Sequence, residues 1–307
     1  MEYSVRANSF ISQGYNVIQT IDEVGKIDGI NYIDLNYPEH FGENSKEEIS
    51  DAIMRNTLKL NAVSLRFTKK FINGAFNSHD KDLRNEAINI CKRGIDLCEY
   101  LSGNHTIVWL AYEGNDYPFQ VDYIDCWIRI KEIFQEICDY KNIPICIEYK
   151  PYEERVHSFL DSFGTTMLMV KDVDRKNLGV NVDFCHMLMK KENPSFVLSY
   201  LLNAGKLFGI HLNDGEGHTD EGMMVGMSFF WKIFEFIFYL KKYKYQGVVF
   251  FDTFPIRENA AEECRCNVEM CNKIESIIDE IGLETIQNIV DKNDGIAVNR
   301  LFQKILK

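Results

Sequence analysis

The sequence predicts an α/β fold of the (β/α)8 TIM-barrel class, and three observations predict it. Eight short runs rich in Val, Ile, Phe and Tyr recur along the 307 residues, each followed by a longer segment of helical periodicity. Eight strand–helix units in a chain of this length is the count of a closed barrel. A doubly wound open sheet would normally carry a Gly-rich phosphate turn after its first strand, and none is present. No Pro/Gly/Ser-rich linker interrupts the chain, so residues 1–285 read as one catalytic barrel domain and 286–307 as a C-terminal helical extension.

The elements follow in order. YSVRANSF (3–10) reads as the first strand, with a helix expected near 17–26. INYIDLN (30–36) precedes a helix at 46–58, LNAVSLRF (60–67) one at 80–101, and HTIVWLAY (105–112) one at 121–141. IPICIEY (143–149) leads to 155–170, and NLGVNVDF (177–184) to 194–204. KLFGIHLN (206–213) leads to 227–244, and GVVFFDTF (247–254) to 258–282. The strand runs are nearly continuously apolar, as expected of strands buried on both faces of a parallel barrel.

A net charge of -12 argues against nucleic acid or an anionic membrane as the partner. Nine cysteines form no CxxC pair, and the cluster Cys264, Cys266 and Cys271 sits at helical spacing. Scattered odd thiols fit a reduced, cytoplasmic protein. No secretory leader pattern and no membrane-length apolar run is expected.

Four successive strand ends deliver metal-type ligands: Glu148 in PICIEYKP, Asp183 and His186 in LGVNVDFCH, His211 in LFGIHLND, and Asp252 in VVFFDTFP. In such barrels the chemistry sits at the carboxyl ends of the strands. Ionised carboxylates gathered there are expensive to bury without a cation. A mixed oxygen and nitrogen set suits Mn2+, Mg2+, Co2+ or Zn2+, one or two per chain. Cys185 is expected to alternate away from Asp183. Lys150, two residues past Glu148, is expected on the same side, where it could polarise a substrate oxygen. The loop HLNDGEGHTDEG adds Asp214, Glu216, His218, Asp220 and Glu221, with Asp214 assigned to substrate and Asp220 to metal and catalysis. His40, in NYPEHF, is a further substrate candidate, with a plain loop hydrogen-bonder as the alternative.

EYKPYE, VNVDFCH and GKLFGIHLNDGEGHTDEGMMVG, with WLAYEGNDYPFQ and residues 74–101 upstream, resemble the metal-dependent L-rhamnose isomerase and xylose isomerase families. The resemblance covers roughly residues 60–275 and is nearest to the L-rhamnose branch, where an aspartate closes the metal site on the last strand. It implies a xylose isomerase-like barrel in which Glu148, Asp183, His211 and Asp252 hold a structural metal. Asp183, His186 and an acid of the 218–221 loop would hold a catalytic one, with Mn2+ the first choice. It also implies that Lys150 contacts the substrate near its carbonyl, that Trp109 walls the site, and that His79 touches the sugar and assists ring opening. The implied reaction is aldose–ketose isomerisation of an unphosphorylated monosaccharide by hydride shift, in a homodimer or homotetramer. The alternatives are a ketose 3-epimerase or other metal-assisted sugar enzyme on the same barrel, a metal-dependent nuclease, or a sugar binder without activity. The family loop carries an Asp-x-Asp pair; here the loop is one residue longer, so that Gly222 stands for the second acid when Asp220 is matched to the first, and Thr219 stands for the first when Glu221 is matched to the second.

Overall fold

The computed structural model describes residues 1–306, in which eight parallel strands close into a barrel. They are β1 (Glu2–Arg6), β2 (Ile30–Tyr37), β3 (Lys59–Leu65), β4 (His105–Trp109), β5 (Ile145–Glu148), β6 (Leu178–Asp183), β7 (Leu207–Leu212) and β8 (Val248–Phe251). Each pairs with its sequence neighbours, and β1 pairs with β8 to close the ring. A helix follows each: α1 (Val17–Val24), α2 (Lys46–Arg55), α3 (Lys81–Tyr100), α4 (Tyr123–Tyr140), α5 (Phe163–Val173), α6 (Pro194–Asn203), α7 (Phe230–Lys242) and α8 (Ala260–Ile281). Polar residues start all but α7, which follows Phe229 without a side-chain cap. Asn16 with Gln19, and Ser45 with Glu48, form reciprocal capping boxes, while Asp122 and Asn259 each accept two N–H groups of the first turn.

Strand alternation divides the residues into two sets. Val5, Ile33, Leu35, Val63, Leu65, Val108, Ile147, Val180, Val182, Ile210, Leu212 and Val249 lie in the main core between strands and helices. The opposite parity faces the barrel axis. Ala62, Ile107 and Cys146 form a small separate apolar plug, with Phe208 against it. Nearby Asp34 is buried, accepts from the Ser4 hydroxyl at 2.5 Å and from Asn61 Nδ2 at 2.9 Å, and is pushed up to about 7 by burial. The same parity carried toward the carboxyl ends gives Arg6, Trp109, Glu148, Asp183, His211 and Asp252.

Three expectations differ from the structure. The first strand, expected over 3–10, ends at Arg6, where the backbone turns into a short helix, Ala7–Ile11. The helix expected at 155–170 begins only at Phe163, because 151–162 is spent on other bonds. Gly114–Asn115 pairs antiparallel with His157–Ser158, and Asp116 accepts from the Val156 N–H (3.1 Å) and from Arg155 Nη1 (2.8 Å). A Cβ on Gly114 would lie 2.1 Å from the His157 carbonyl oxygen, so this ladder needs glycine there. An additional helical turn, Phe184–Met189, follows β6 directly.

Beyond α8, helices α9 (Leu283–Lys292) and α10 (Gly295–Ile305) form the tail, which begins three residues before the expected 286. Phe302 of α10 stacks on Trp231 of α7 with centroids 3.8 Å apart. Among the described residues no helix is long and apolar enough to cross a membrane.

Candidate metal centre and active site

Parallel register builds the centre. Asp183 on β6 lies opposite His211 on β7, and Trp109 on β4 opposite Glu148 on β5. The Asp252 N–H donates to the Leu212 carbonyl at 3.2 Å, holding the start of the β8 loop beside β7. Glu148, Asp183, His211 and Asp252 thereby offer four ligand atoms within 4.8 Å of one another. His211 Nδ1 is the convergent nitrogen: 3.5 Å from Glu148 Oε1, 3.6 Å from Asp252 Oδ2 and 3.8 Å from Asp183 Oδ2.

A divalent cation fits this set on the structure's own terms. Both ring nitrogens of His211 are buried without a hydrogen-bond partner, a costly arrangement that a bound cation relieves. The charges show the same demand. Burial raises the Glu148 carboxyl, but the His211 and His186 imidazoles beside it outweigh burial and hold it at about 2. Asp183 is pushed up to about 7 by burial, with Asp220, Asp252 and Glu148 adding to the rise. Burial disfavours protonated His211, yet Glu148 and Asp252 pull it well above the usual histidine range.

A second cluster adjoins the first and shares Asp183. The Asp183 side chain accepts from the His186 N–H (3.0 Å), starting the turn Phe184–Met189 and turning His186 inward. His186 Nε2 lies 3.2 Å from Asp220 Oδ2 and 3.9 Å from Asp183 Oδ1, and Asp220 Oδ1 has no partner. Burial lowers the His186 imidazole, but Asp183 and Asp220 overcome it and bring it to about 9. Lys150 Nζ lies 2.8 Å from Asp220 Oδ2 and 5.2 Å from the centre of the Trp109 ring, and pairs with Glu153 as well.

Cys185 is a correction to the alternation expected for it. Its thiol lies within reach of Asp183 and Asp220 as part of a second possible ligand group and donates to the Asp214 carbonyl at 3.1 Å. Strand alternation stops at Asp183 because the helical turn starts at Phe184. Within the loop, Glu221 turns away from the cluster and accepts from the Thr219 hydroxyl and the Glu216 and Thr219 N–H groups. The loop therefore sends in one acid, Asp220. Gly222 has φ +56, and a Cβ there would lie 2.4 Å from the Phe254 ring, so no second acid can stand at that place.

Three other expected site residues lie outside the two clusters. Asp214 is not turned to the substrate side: its oxygens accept from the N–H groups of Gly215, Ser228 and Phe229 and brace the loop. His40 is buried, accepts from the Asn36 N–H at 2.9 Å and donates through Nε2 to Asn8 Oδ1; burial lowers it to about 4, so it is a neutral loop hydrogen-bonder. His79 is exposed ahead of α3 and makes no hydrogen bond or ion pair among the described residues. His218 is also exposed, and only its carbonyl is used, accepting from the Tyr152 hydroxyl.

Sequence reading missed Arg6 and Asn213. Arg6 Nε is 3.1 Å from Asp252 Oδ1, and its guanidinium lies 4.6 Å from the Phe254 ring centre. Asn213 donates to Asp183 Oδ2 (3.1 Å) and to the Asp252 carbonyl (3.2 Å), tying β6, β7 and β8 together beneath the ligands. The signal for Arg6 was the two-residue alternation after Ser4, which places it on the axis side.

The comparisons agree with this architecture. The family model described as xylose isomerase-like TIM barrel matches residues 14–269. The xylose isomerase of Streptomyces lividans is 30% identical over 192 residues, covering 60% of this chain and 49% of that protein, so the chain spans about half the length of this curated relative. A D-tagatose 3-epimerase-like protein superposes with a TM-score of 0.74 at 18% identity, covering 91% of this chain and 99% of the other. The D-allulose 3-epimerase from Methylomonas sp. gives 0.73 at 14% identity, covering 89% and 98%. The IOLI protein with a binding zinc atom gives 0.72 at 16% identity, covering 89% and 98%. At such identities the structural likenesses show the fold. With five-sixths of its length inside the family model and a closed eight-stranded barrel, the chain belongs to the xylose isomerase-like TIM barrel family.

Proposed function

We propose that the protein is a divalent-metal-dependent aldose–ketose isomerase acting on a small monosaccharide without a phosphate, with an L-rhamnose isomerase-like ligand set and Mn2+ as its first-choice metal. The observation that carries this reading is Lys150, 7% exposed, held against Asp220 and beside Trp109 next to the Glu148 cluster. A cation bound by Glu148, Asp183, His211 and Asp252 supplies Lewis-acid polarisation of substrate oxygens. Burial disfavours the Lys150 ammonium, but Asp220 and Glu153 more than offset that and raise it above the ordinary lysine value. It stays charged at neutral pH and stabilises negative charge developing on a carbonyl oxygen. His186 and Asp220, hydrogen-bonded across the second cluster, form a path for moving the hydroxyl proton. Trp109 closes one wall and limits water at the reacting carbons.

A ketose 3-epimerase is the second reading. It is favoured by carboxylates from β5 and just past β8, Glu148 and Asp252, meeting at the cluster, and by solved structures named as 3-epimerases among those of the same fold. Solvent isotope separates the two. With metal-loaded protein in D2O, a hydride shift delivers product whose transferred hydrogen comes from the substrate. Epimerisation by proton abstraction delivers deuterium at carbon 3. Aldose–ketose conversion with little deuterium uptake is expected; a carbon-3 epimer carrying deuterium would overturn the isomerase reading.

A further inference from the structure

We propose that Tyr152, Glu153 and Glu154 form a lid over the active site, and that a sugar enters only after this short flap swings away from Lys150. What the lid admits rests on the sugar-enzyme reading above; that it opens does not.

The site is closed in this structure. Glu148, Lys150, Asp183, His211 and Asp252 are each less than one-tenth exposed. The cavity bounded by Trp109, Glu148, Lys150, Tyr152 and Glu153 holds about 10 Å3, room for one water molecule. A monosaccharide is many times that size, so one wall has to move. Trp109 and Glu148 are strand residues of the barrel, fixed by the sheet. The remaining wall is the connection from β5 to α5, which is not.

That connection is anchored unevenly. At its neck the Lys150 N–H donates to the Leu160 carbonyl (3.3 Å) and the Ser158 N–H to the Pro151 carbonyl (3.4 Å). Its far half is tied to the loop after β4. Arg155 pairs with Asp116 at 2.8 Å and donates to the Ile72 carbonyl, the Val156 N–H donates to Asp116 at 3.1 Å, and His157–Ser158 ladders with Gly114–Asn115. The near half, 152–154, is held on the site by two side-chain contacts. The Tyr152 hydroxyl donates to the His218 carbonyl at 2.7 Å, crossing to the loop that carries Asp220, and the Glu153 carboxylate pairs with Lys150 Nζ. The flap thus turns between fixed points at Pro151 and Arg155.

The closed position is weakly held. Glu153 is 45% exposed, and an ion pair open to water on one side contributes little. Its φ is +150, which residues with a Cβ rarely adopt, so closure also carries backbone strain. The Glu153 carboxylate stands on the same ammonium that the proposed function gives to a substrate oxygen. Substrate and closed flap therefore compete for Lys150.

The test follows the reaction of Lys150 with a small amine-acylating reagent in the full-length protein, read by peptide mass spectrometry. Lys206, which precedes β7 at the opposite end of the barrel, is the internal reference. Tyr152→Phe removes the latch donor without touching Lys150. Labelling of Lys150 should then rise roughly threefold to tenfold, the effect of one lost hydrogen bond, with Lys206 unchanged. Wild type gives a second reading: Lys150 labelling should not vary with urea below the unfolding transition, because so small an opening exposes little surface. Unchanged Lys150 labelling in Y152F, or wild-type labelling that climbs with urea in step with global unfolding, would overturn the proposal. The Mn2+-loaded protein is also assayed with L-rhamnose, D-xylose and D-fructose. For a sugar that is turned over, Glu153→Gln should lower KM roughly twofold to fivefold by removing the competing charge, and an equal or raised KM would overturn the competition for Lys150. Faster labelling in Y152F with no sugar turned over would leave the lid standing and sink the isomerase reading.

Discussion

Replacing Lys150 with methionine removes a buried ammonium while keeping most of the side chain's volume. In the native protein its Nζ lies 2.8 Å from Asp220 Oδ2, with both side chains 7% exposed. The variant strands one side of the Asp220 carboxylate. Leaving a buried charge unpaired costs roughly 3–5 kcal/mol, and the cost here falls to about 2 kcal/mol because His186 Nε2 remains 3.2 Å away as a second partner. The catalytic loss is expected to be larger. A donor aimed at developing negative charge is worth roughly 3–4 kcal/mol, so kcat should drop by about 10²–10³-fold with KM changed far less. Steady-state kinetics with saturating Mn2+, alongside thermal unfolding of the same samples, separates the two effects. A variant that melts earlier yet keeps kcat within about threefold of wild type would refute the argument, since Lys150 would then be only a salt-bridge partner for Glu153 and Asp220.

Stripping the protein with a chelator should abolish turnover and lower the melting temperature; returning Mn2+ to about a hundred times its Kd should restore about 2.7 kcal/mol of stability, and an unchanged melting curve would count against a folded-state metal site. Glu113→Ala should cost at least about 3 kcal/mol by urea titration, because Glu113 Oε1 accepts the buried N–H groups of Ala75, Phe76 and Asn77. The pH dependence has a definite sign. Burial raises folded Glu113 to about 7 from an ordinary value of 4.5, so the folded state holds the extra proton and stability falls as pH rises between those values. Glu113→Gln should flatten that part of the profile, and an unaltered slope would be contrary. Gly222→Ala should destabilise by about 1–3 kcal/mol through its positive φ and the Phe254 ring 2.4 Å from a new Cβ, read as a lower melting temperature.

Much of the barrel was legible because the strand runs are mainly apolar and each is followed by a helix, in every case but α7 with a polar cap. The metal ligands were legible for a related reason: Glu148, Asp183, His211 and Asp252 are charged or polar residues closing apolar runs, where nothing but function or a partner tolerates them. What sequence periodicity could not supply was loop direction. Asp214 and Asp220 are six residues apart in one acidic loop, yet one braces backbone N–H groups and the other reaches His186 and Lys150. Cys185 and the false helix start at 155 fail similarly, since a helical turn and a two-residue ladder reset the local period.

The central claim is that Glu148, Asp183, His211 and Asp252 form one cation site at the mouth of the barrel. Equilibrium dialysis of the wild type and of Asp183→Asn against Mn2+ tests it most directly, because Asp183 belongs to both clusters. Wild type is predicted to bind one or two ions per chain, and folded D183N none at the same concentration. Equal stoichiometry and affinity in the two proteins would contradict the account.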